Sequence, residues 1–403
     1  MRYTALLNKE MKAGRMIYFD NAATTMKKPP EVVQAVVEAL QSFGGVGRGV
    51  HGASLSAGMA VYEAREAVAR LFGAPSAARV AFCSNATEAL NIAIAGLVRP
   101  GERAVTTAAS HNSVLRPLYR ARAQGADVDI LPVAPDASIN YDALEALLER
   151  PTRLLVATHA SNVTGDVYDI ERMAHLAHAH GALLLVDAAQ TAGVVPLDMG
   201  AMGLDLVAFT GHKSLFGPQG TGGLCVGEGV EVPPFKVGGS GIKSYDEEHP
   251  STMPERLEAG TLNGHGIAGL AAGIAYLERA GLDAVAAQTH ALVERFEAGA
   301  RQIEGVRILG GRGDSGRCGI VALNVGDVDS AVVSAALNAD FGICTRAGAH
   351  CAPLMHQALD TVEQGAVRFS FSHLNTMDEV EEGLRALSQV ATAVLKDEAR
   401  AGV

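Results

Sequence analysis

Leu183-Leu184-Leu185-Val186-Asp187-Ala188-Ala189-Gln190 and, further on, Leu206-Val207-Ala208-Phe209-Thr210-Gly211-His212-Lys213 decide the reading of the fold. Each is a short, almost wholly apolar run that ends in polar residues. Such runs read as strands buried on both faces, and residues 80–83, 104–107, 129–133, 153–158 and 223–226 repeat the pattern. Helical spacing lies between several of them, as in 89–97 after the polar turn Ser84-Asn85-Ala86-Thr87-Glu88. Strands alternating with helices predict an α/β fold with a mostly parallel mixed sheet covered on both faces.

Outward from that centre, residues 30–43 open with prolines and have helical periodicity, as do 266–280, 330–339 and 377–395. The Gly- and Pro-rich stretch 228–254 breaks the pattern. Residues 30–255 are therefore expected to form a large domain, and 16–29 with 256–403 a smaller α+β domain. The glycine tract 310–316 is expected to be a mobile turn. Residues 1–15 read as an N-terminal extension without the apolar core of a secretory leader, which points to the cytoplasm.

With 48% hydrophobic and 19% charged residues among 403, the chain can bury a large core. Its net charge of -11 is spread without blocks of like charge, so no nucleic-acid footprint is expected. No apolar run approaches the ~20 residues that span a bilayer, so no membrane partner is expected either. Five cysteines form no CxxC pair and no disulfide framework. His175, His178 and His180 read as a solvated helix face, and no metal site is expected.

In open α/β sheets ligands gather beyond the carboxyl ends of the strands. Ser84-Asn85-Ala86-Thr87-Glu88 lies at a helix start where free N–H groups could cradle a phosphate, or it could be an ordinary N-cap. Asp187 ends an apolar strand and needs a cationic partner, either in a structural salt bridge or in the protonated pyridine nitrogen of a bound cofactor. Lys213, in a partly desolvated strand-end pocket, would have a lowered pKa and a free amine able to attack an aldehyde. His111, just past a strand, could stack on a flat cofactor. Cys351, flanked by His350 and Arg346, sits where a thiolate would be supported, whereas the other four cysteines read as core. Arg368 offers a planar fork for a carboxylate.

Taken together these segments resemble the class V aminotransferase family, and its cysteine desulfurase branch in particular. The resemblance covers about Tyr18 to the C-terminal helix. It rests on Phe19-Asp20-Asn21-Ala22-Ala23-Thr24-Thr25, Asn85-Ala86-Thr87-Glu88, Ser110-His111-Asn112-Ser113, Ser161-Asn162-Val163-Thr164-Gly165, Asp187-Ala188-Ala189-Gln190, Thr210-Gly211-His212-Lys213, Glu258-Ala259-Gly260-Thr261 and the segment from Arg346 to Pro353. The short loop before Cys351 is similar to the second desulfurase group, which includes selenocysteine lyase-like proteins.

This resemblance implies a pyridoxal phosphate (PLP) enzyme of fold type I, a homodimer with its site at the subunit interface. Lys213 would be the Schiff-base lysine, Asp187 the partner of the pyridine nitrogen, Gln190 a contact to the ring oxygen and His111 the stacking residue. Ala86, Thr87, Thr210 and His212 would surround the phosphate, with Thr261 reaching it from the other subunit. Asn162, Arg346 and Arg368 would hold L-cysteine, and Cys351 would take its sulfur as a persulfide, releasing alanine to leave a cargo for a sulfur-acceptor protein. Selenocysteine lyase, cysteine sulfinate desulfinase, a class V aminotransferase and a non-catalytic scaffold are the competing readings.

Overall fold

Apolar strands without polar alternation need cover on both faces, and the chain supplies it. The structure, a computed structural model, describes residues 16–47, 49–311 and 313–401, with side chains to 397; the expected extension at 1–15 lies outside them. In chain order the strands are β1 Ile17–Tyr18, β2 Val80–Cys83, β3 Arg103–Thr107, β4 Asp127–Leu131, β5 Leu154–Thr158, β6 Leu183–Asp187, β7 Leu206–Thr210, β8 Gly222–Val226, β9 Val306–Ile308, β10 Ile320–Val325, β11 Ile343–Cys344 and β12 Val367–Ser370. The α-helices are α1 Pro30–Ser42, α2 Gly52–Phe72, α3 Ala86–Leu97, α4 Asn112–Ala123, α5 Tyr141–Leu148, α6 Ile170–Ala179, α7 Gly264–Ala280, α8 Leu282–Ala300, α9 Ser330–Phe341, α10 Pro353–Ala358 and α11 Met377–Ala401.

Seven strands form the central sheet in the order β2-β8-β7-β6-β5-β3-β4. Neighbours from β7 to β4 are parallel, while β8 runs antiparallel between β7 and β2. The fold is thus α/β with a mostly parallel mixed sheet, as the apolar runs require. Strand β4 ends at Leu131 rather than 133, because Pro132 cannot donate to the ladder. A Cβ on Gly223 would lie 2.7 Å from the Ala81 carbonyl oxygen, so Gly222 and Gly223 let β8 approach its neighbours.

A second sheet, β12-β10-β9, is antiparallel, and β1 pairs with β11 in parallel. Phe19, Phe296, Phe369 and Phe371 pack at its centre, with the Phe296 and Phe369 rings 4.5 Å apart. The described residues of the tract 310–316 are hydrogen-bonded to the rest of the chain rather than loose: Gly311 N donates to the Asp136 carbonyl, and Asp314 N to that of Val167 at 2.8 Å. Its contacts run to a different part of the chain, which local sequence does not reveal.

Candidate active site

The carboxyl ends of β3, β5, β6 and β7 open into a cavity of about 210 Å³. Ala86, Thr87, His111, Asn162, Asp187, Gln190, Thr210, His212, Lys213, Arg346 and Arg368 all line it. Residues from seven separate stretches of sequence therefore converge on one space.

Asp187 closes β6 and is buried, and Ala189 N donates to its Oδ1 at 3.0 Å. Burial raises its pKa, opposed by that hydrogen bond and by Lys213. Among the described residues no cationic side chain forms an ion pair with it. Among the described residues a structural salt bridge is thus absent, and Asp187 faces the cavity. Lys213 stands across from it, its pKa pushed down to about 8 by burial and by the nearby Arg368 cation.

The strand-end lysine is held by the N-terminal segment. Thr25 Oγ1 donates to the Lys213 carbonyl at 3.0 Å, and Lys28 Nζ to the His212 carbonyl at the same distance. His212 Nδ1 meets Thr24 Oγ1 at 3.1 Å. Gln190 Nε2 donates to the Ala22 carbonyl at 3.3 Å. The residues 22–28 therefore clamp the Lys213 loop, a role that their sequence position did not announce.

Helix α3 is capped by Asn85, whose Oδ1 accepts from Glu88 N at 2.9 Å, so the cap exists and the Ala86 and Thr87 end still faces the cavity. His111 caps α4: its Nδ1 accepts from Ser113 N at 3.0 Å, which leaves the ring proton on Nε2. Burial, reinforced by Lys213 and three arginines, pushes its pKa down to about 4. The ring is neutral at physiological pH, as a stacking residue can be.

Arg368 is 1% exposed. It donates to the Asn162 carbonyl at 2.9 Å and to Asp20 Oδ1 at 3.0 Å, while its Nε finds no partner among the described residues. Burial lowers its pKa and Asp20 opposes the shift. Arg346 lies alongside, since its backbone pairs with that of Arg368. Asn162 Nδ2 donates to the His350 carbonyl at 2.7 Å, and its Oδ1 is buried without a partner. Unpartnered buried polar atoms of this kind are costly unless a ligand satisfies them.

Two predicted residues lie elsewhere. Cys351 is exposed and does not line this cavity; it follows His350, and both have left-handed backbones, with φ of 48° and 58°. Thr261 is exposed and is likewise not on the lining. His350 is a site residue that sequence reading treated only as a neighbour of Cys351. Its Nε2 donates to the Ala366 carbonyl at 3.0 Å and its Nδ1 is buried without a partner, while burial pushes its pKa down to about 3. The helical histidines include an unexpected contact, His178 Nε2 with Asp205 Oδ2 at 2.8 Å. Among the described residues no His, Cys, Asp and Glu group could hold a metal ion.

The family model described as Aminotransferase class-V matches residues 17–382. A probable cysteine desulfurase of Methanothermobacter thermautotrophicus is 35% identical over 383 residues, covering 93% of this chain and 94% of that one. A cysteine desulfurase of Shigella flexneri is 34% identical over 397 residues, covering 96% of each. Among solved structures, the apo cysteine desulfurase of Thermococcus onnurineus NA1 superposes with a TM-score of 0.88 at 34% identity, covering 94% of this chain and 95% of that one.

Proposed function

Since the chain belongs to the class V aminotransferase family, and to its cysteine desulfurases, we propose that it removes sulfur from L-cysteine with PLP at Lys213, yielding L-alanine and a persulfide on Cys351. The observation that carries this reading is Asp187, a buried carboxylate without a cationic ion-pair partner among the described residues, in a cavity that also contains an amine of lowered pKa and an arginine whose Nε has no partner among them. Those donors and acceptors fit the group. Bound there, the cofactor would supply an aldehyde for the substrate amine and an electron sink for the bonds to be broken.

The chain's own residues do the rest. Asp187 supplies the negative charge for a protonated ring nitrogen, Gln190 a contact to the ring oxygen, and neutral His111 a face for stacking. Ala86, Thr87, Thr210 and His212 surround the phosphate, with Thr261 of a second copy. Lys213 carries the attachment and, when freed, can take up a proton near neutral pH. Arg368 Nε, with Arg346 and the Asn162 amide, positions the substrate carboxylate. Cys351 Sγ then attacks the substrate sulfur: an S–S bond forms, the Cβ–S bond breaks, and the electron pair and a proton end on the alanine methyl group.

A homodimer is part of the same proposal. Leu55, Met59 and Tyr62 of α2 are exposed, and Thr261 stands outside its own chain's cavity, as a residue serving a neighbouring copy would. No described helix is long and apolar enough to cross a membrane, and the expected cytoplasmic location and protein acceptor remain part of the proposal.

The test is sulfide and alanine release from L-cysteine with reductant present. Cys351→Ala is expected to lose sulfide release by at least about a hundredfold while retaining the cofactor's visible absorbance. Undiminished sulfur release would remove Cys351 from the reaction. Selenocysteine and cysteine sulfinate carry better leaving groups, so retained activity on those alone in the variant separates the lyase and desulfinase readings.

A further inference from the structure

Thr87 and His111 belong to the walls of two cavities at once: the inner one with Lys213, and an outer one of about 430 Å³ that Asn91, Arg116, Arg120 and Cys351 also line. Cys351 lines the outer cavity, next to the residues that the two cavities share. Its position is fixed from that side, because Asn112 N at the start of α4 donates to the Cys351 carbonyl at 2.8 Å.

Arg116 and Arg120 are spaced i, i+4 on α4, so both project from one helix face. Both are exposed, and neither has an ion-pair partner among the described residues. Arg120 rests over the Phe235 ring at 5.8 Å, which orders its guanidinium without neutralising it. In a chain of net charge -11, two cations without an ion-pair partner among the described residues line the same cavity as Cys351. The volume suits a small molecule.

We propose that the outer cavity is an acceptor site for a small thiol bearing a negatively charged group, whose anion Arg116 and Arg120 bind while its sulfur meets Cys351. The inference rests on the desulfurase reading. The acceptor thiolate attacks the outer sulfur of the Cys351 persulfide, and a new S–S bond forms as the bond to Cys351 Sγ breaks. Cys351 leaves as the thiolate, and the acceptor departs as a persulfide. Electrons balance without an external oxidant or reductant. Carboxylate and phosphate share the chemistry that two guanidinium groups recognise.

The experiment loads the PLP-containing enzyme with one equivalent of 35S-cysteine, measures the alanine burst, and then follows loss of label from Cys351. Discharge to 3-mercaptopropionate and to the neutral control thioglycerol is compared in wild type, Arg116→Ala/Arg120→Ala and the double lysine variant. The expected result is a roughly tenfold fall in the rate ratio, mercaptopropionate over thioglycerol, in the alanine variant, with partial recovery in the lysine variant. A ratio unchanged within about twofold overturns the acceptor site. Absence of the alanine burst or of label on Cys351 in wild type, seen before any acceptor is added, overturns the desulfurase reading instead.

Discussion

At the scale of single residues, Lys213 combines two requirements that pull against each other. It must stay charged when solvated and be a free amine when it meets an aldehyde; burial and Arg368 settle this by lowering its pKa to about 8. The neutral fraction therefore rises as pH rises toward 8 and levels off above it. The expected outcome is that the rate of PLP loading into apo-protein, followed by the visible band, climbs about tenfold per pH unit below 8 and flattens beyond. Asp187, His111 and Lys213 were legible as strand-end polar residues. Asp20 was not, because its partner Arg368 is 348 positions away and only the fold brings them together. Asp20→Ala should free the Arg368 fork to turn, raising KM for L-cysteine about tenfold with a smaller change in kcat, measured by steady-state kinetics.

At the scale of elements, the seven strands of the central sheet were read from their unbroken apolar runs, and helices α1, α3, α7, α9 and α11 from their spacing. The short strands β9 and β11 and helices α2, α4, α5, α8 and α10 were not assigned. Gly, Ala and Ser are frequent on α2, and its exposed side includes Leu55, Met59 and Tyr62, so its apolar stripe is blurred. One ion pair shows how such elements are fastened. Arg65 of α2 makes a bidentate pair with Glu258, at 2.6 and 2.7 Å, while Arg65 also donates to the Val80 carbonyl and Glu258 accepts from Phe82 N. Both side chains are buried, so α2, β2 and the segment that leads to Thr261 share one charged joint. Removing one partner leaves the other charge without compensation. Glu258→Ala is expected to cost about 3–5 kcal/mol in urea unfolding, and Arg65→Met/Glu258→Leu less than the sum of its single changes.

At the scale of the whole molecule, the central sheet and the smaller sheet meet through a second buried charge cluster, and its pH dependence follows from burial. Asp166 is 1% exposed, in the turn after β5, and faces Arg317 just before β10, with Arg317 Nε 3.9 Å from Asp166 Oδ1 and 3.3 Å from Glu297 Oε2. Burial raises the Asp166 pKa to about 6, with the Arg317 cation acting the other way. Nothing in the local sequence Val163-Thr164-Gly165-Asp166 marks this carboxyl as one that ionises reluctantly, since its surroundings come from residues far along the chain. A carboxyl whose folded pKa exceeds its unfolded value of 3.8 binds its proton more tightly in the folded state. Its contribution to stability is therefore fully present below pH 3.8 and is lost as pH rises through 6. Asp166→Asn keeps the shape and cannot ionise. The unfolding free energy of wild type minus that of the variant, from urea titrations at pH 4 to 7, should fall with rising pH by about 2–3 kcal/mol and then stay level above pH 7. A difference that is flat or rises over that window would mean that Arg317 holds Asp166 ionised, and that attraction to the cation rather than burial governs the joint between the two sheets.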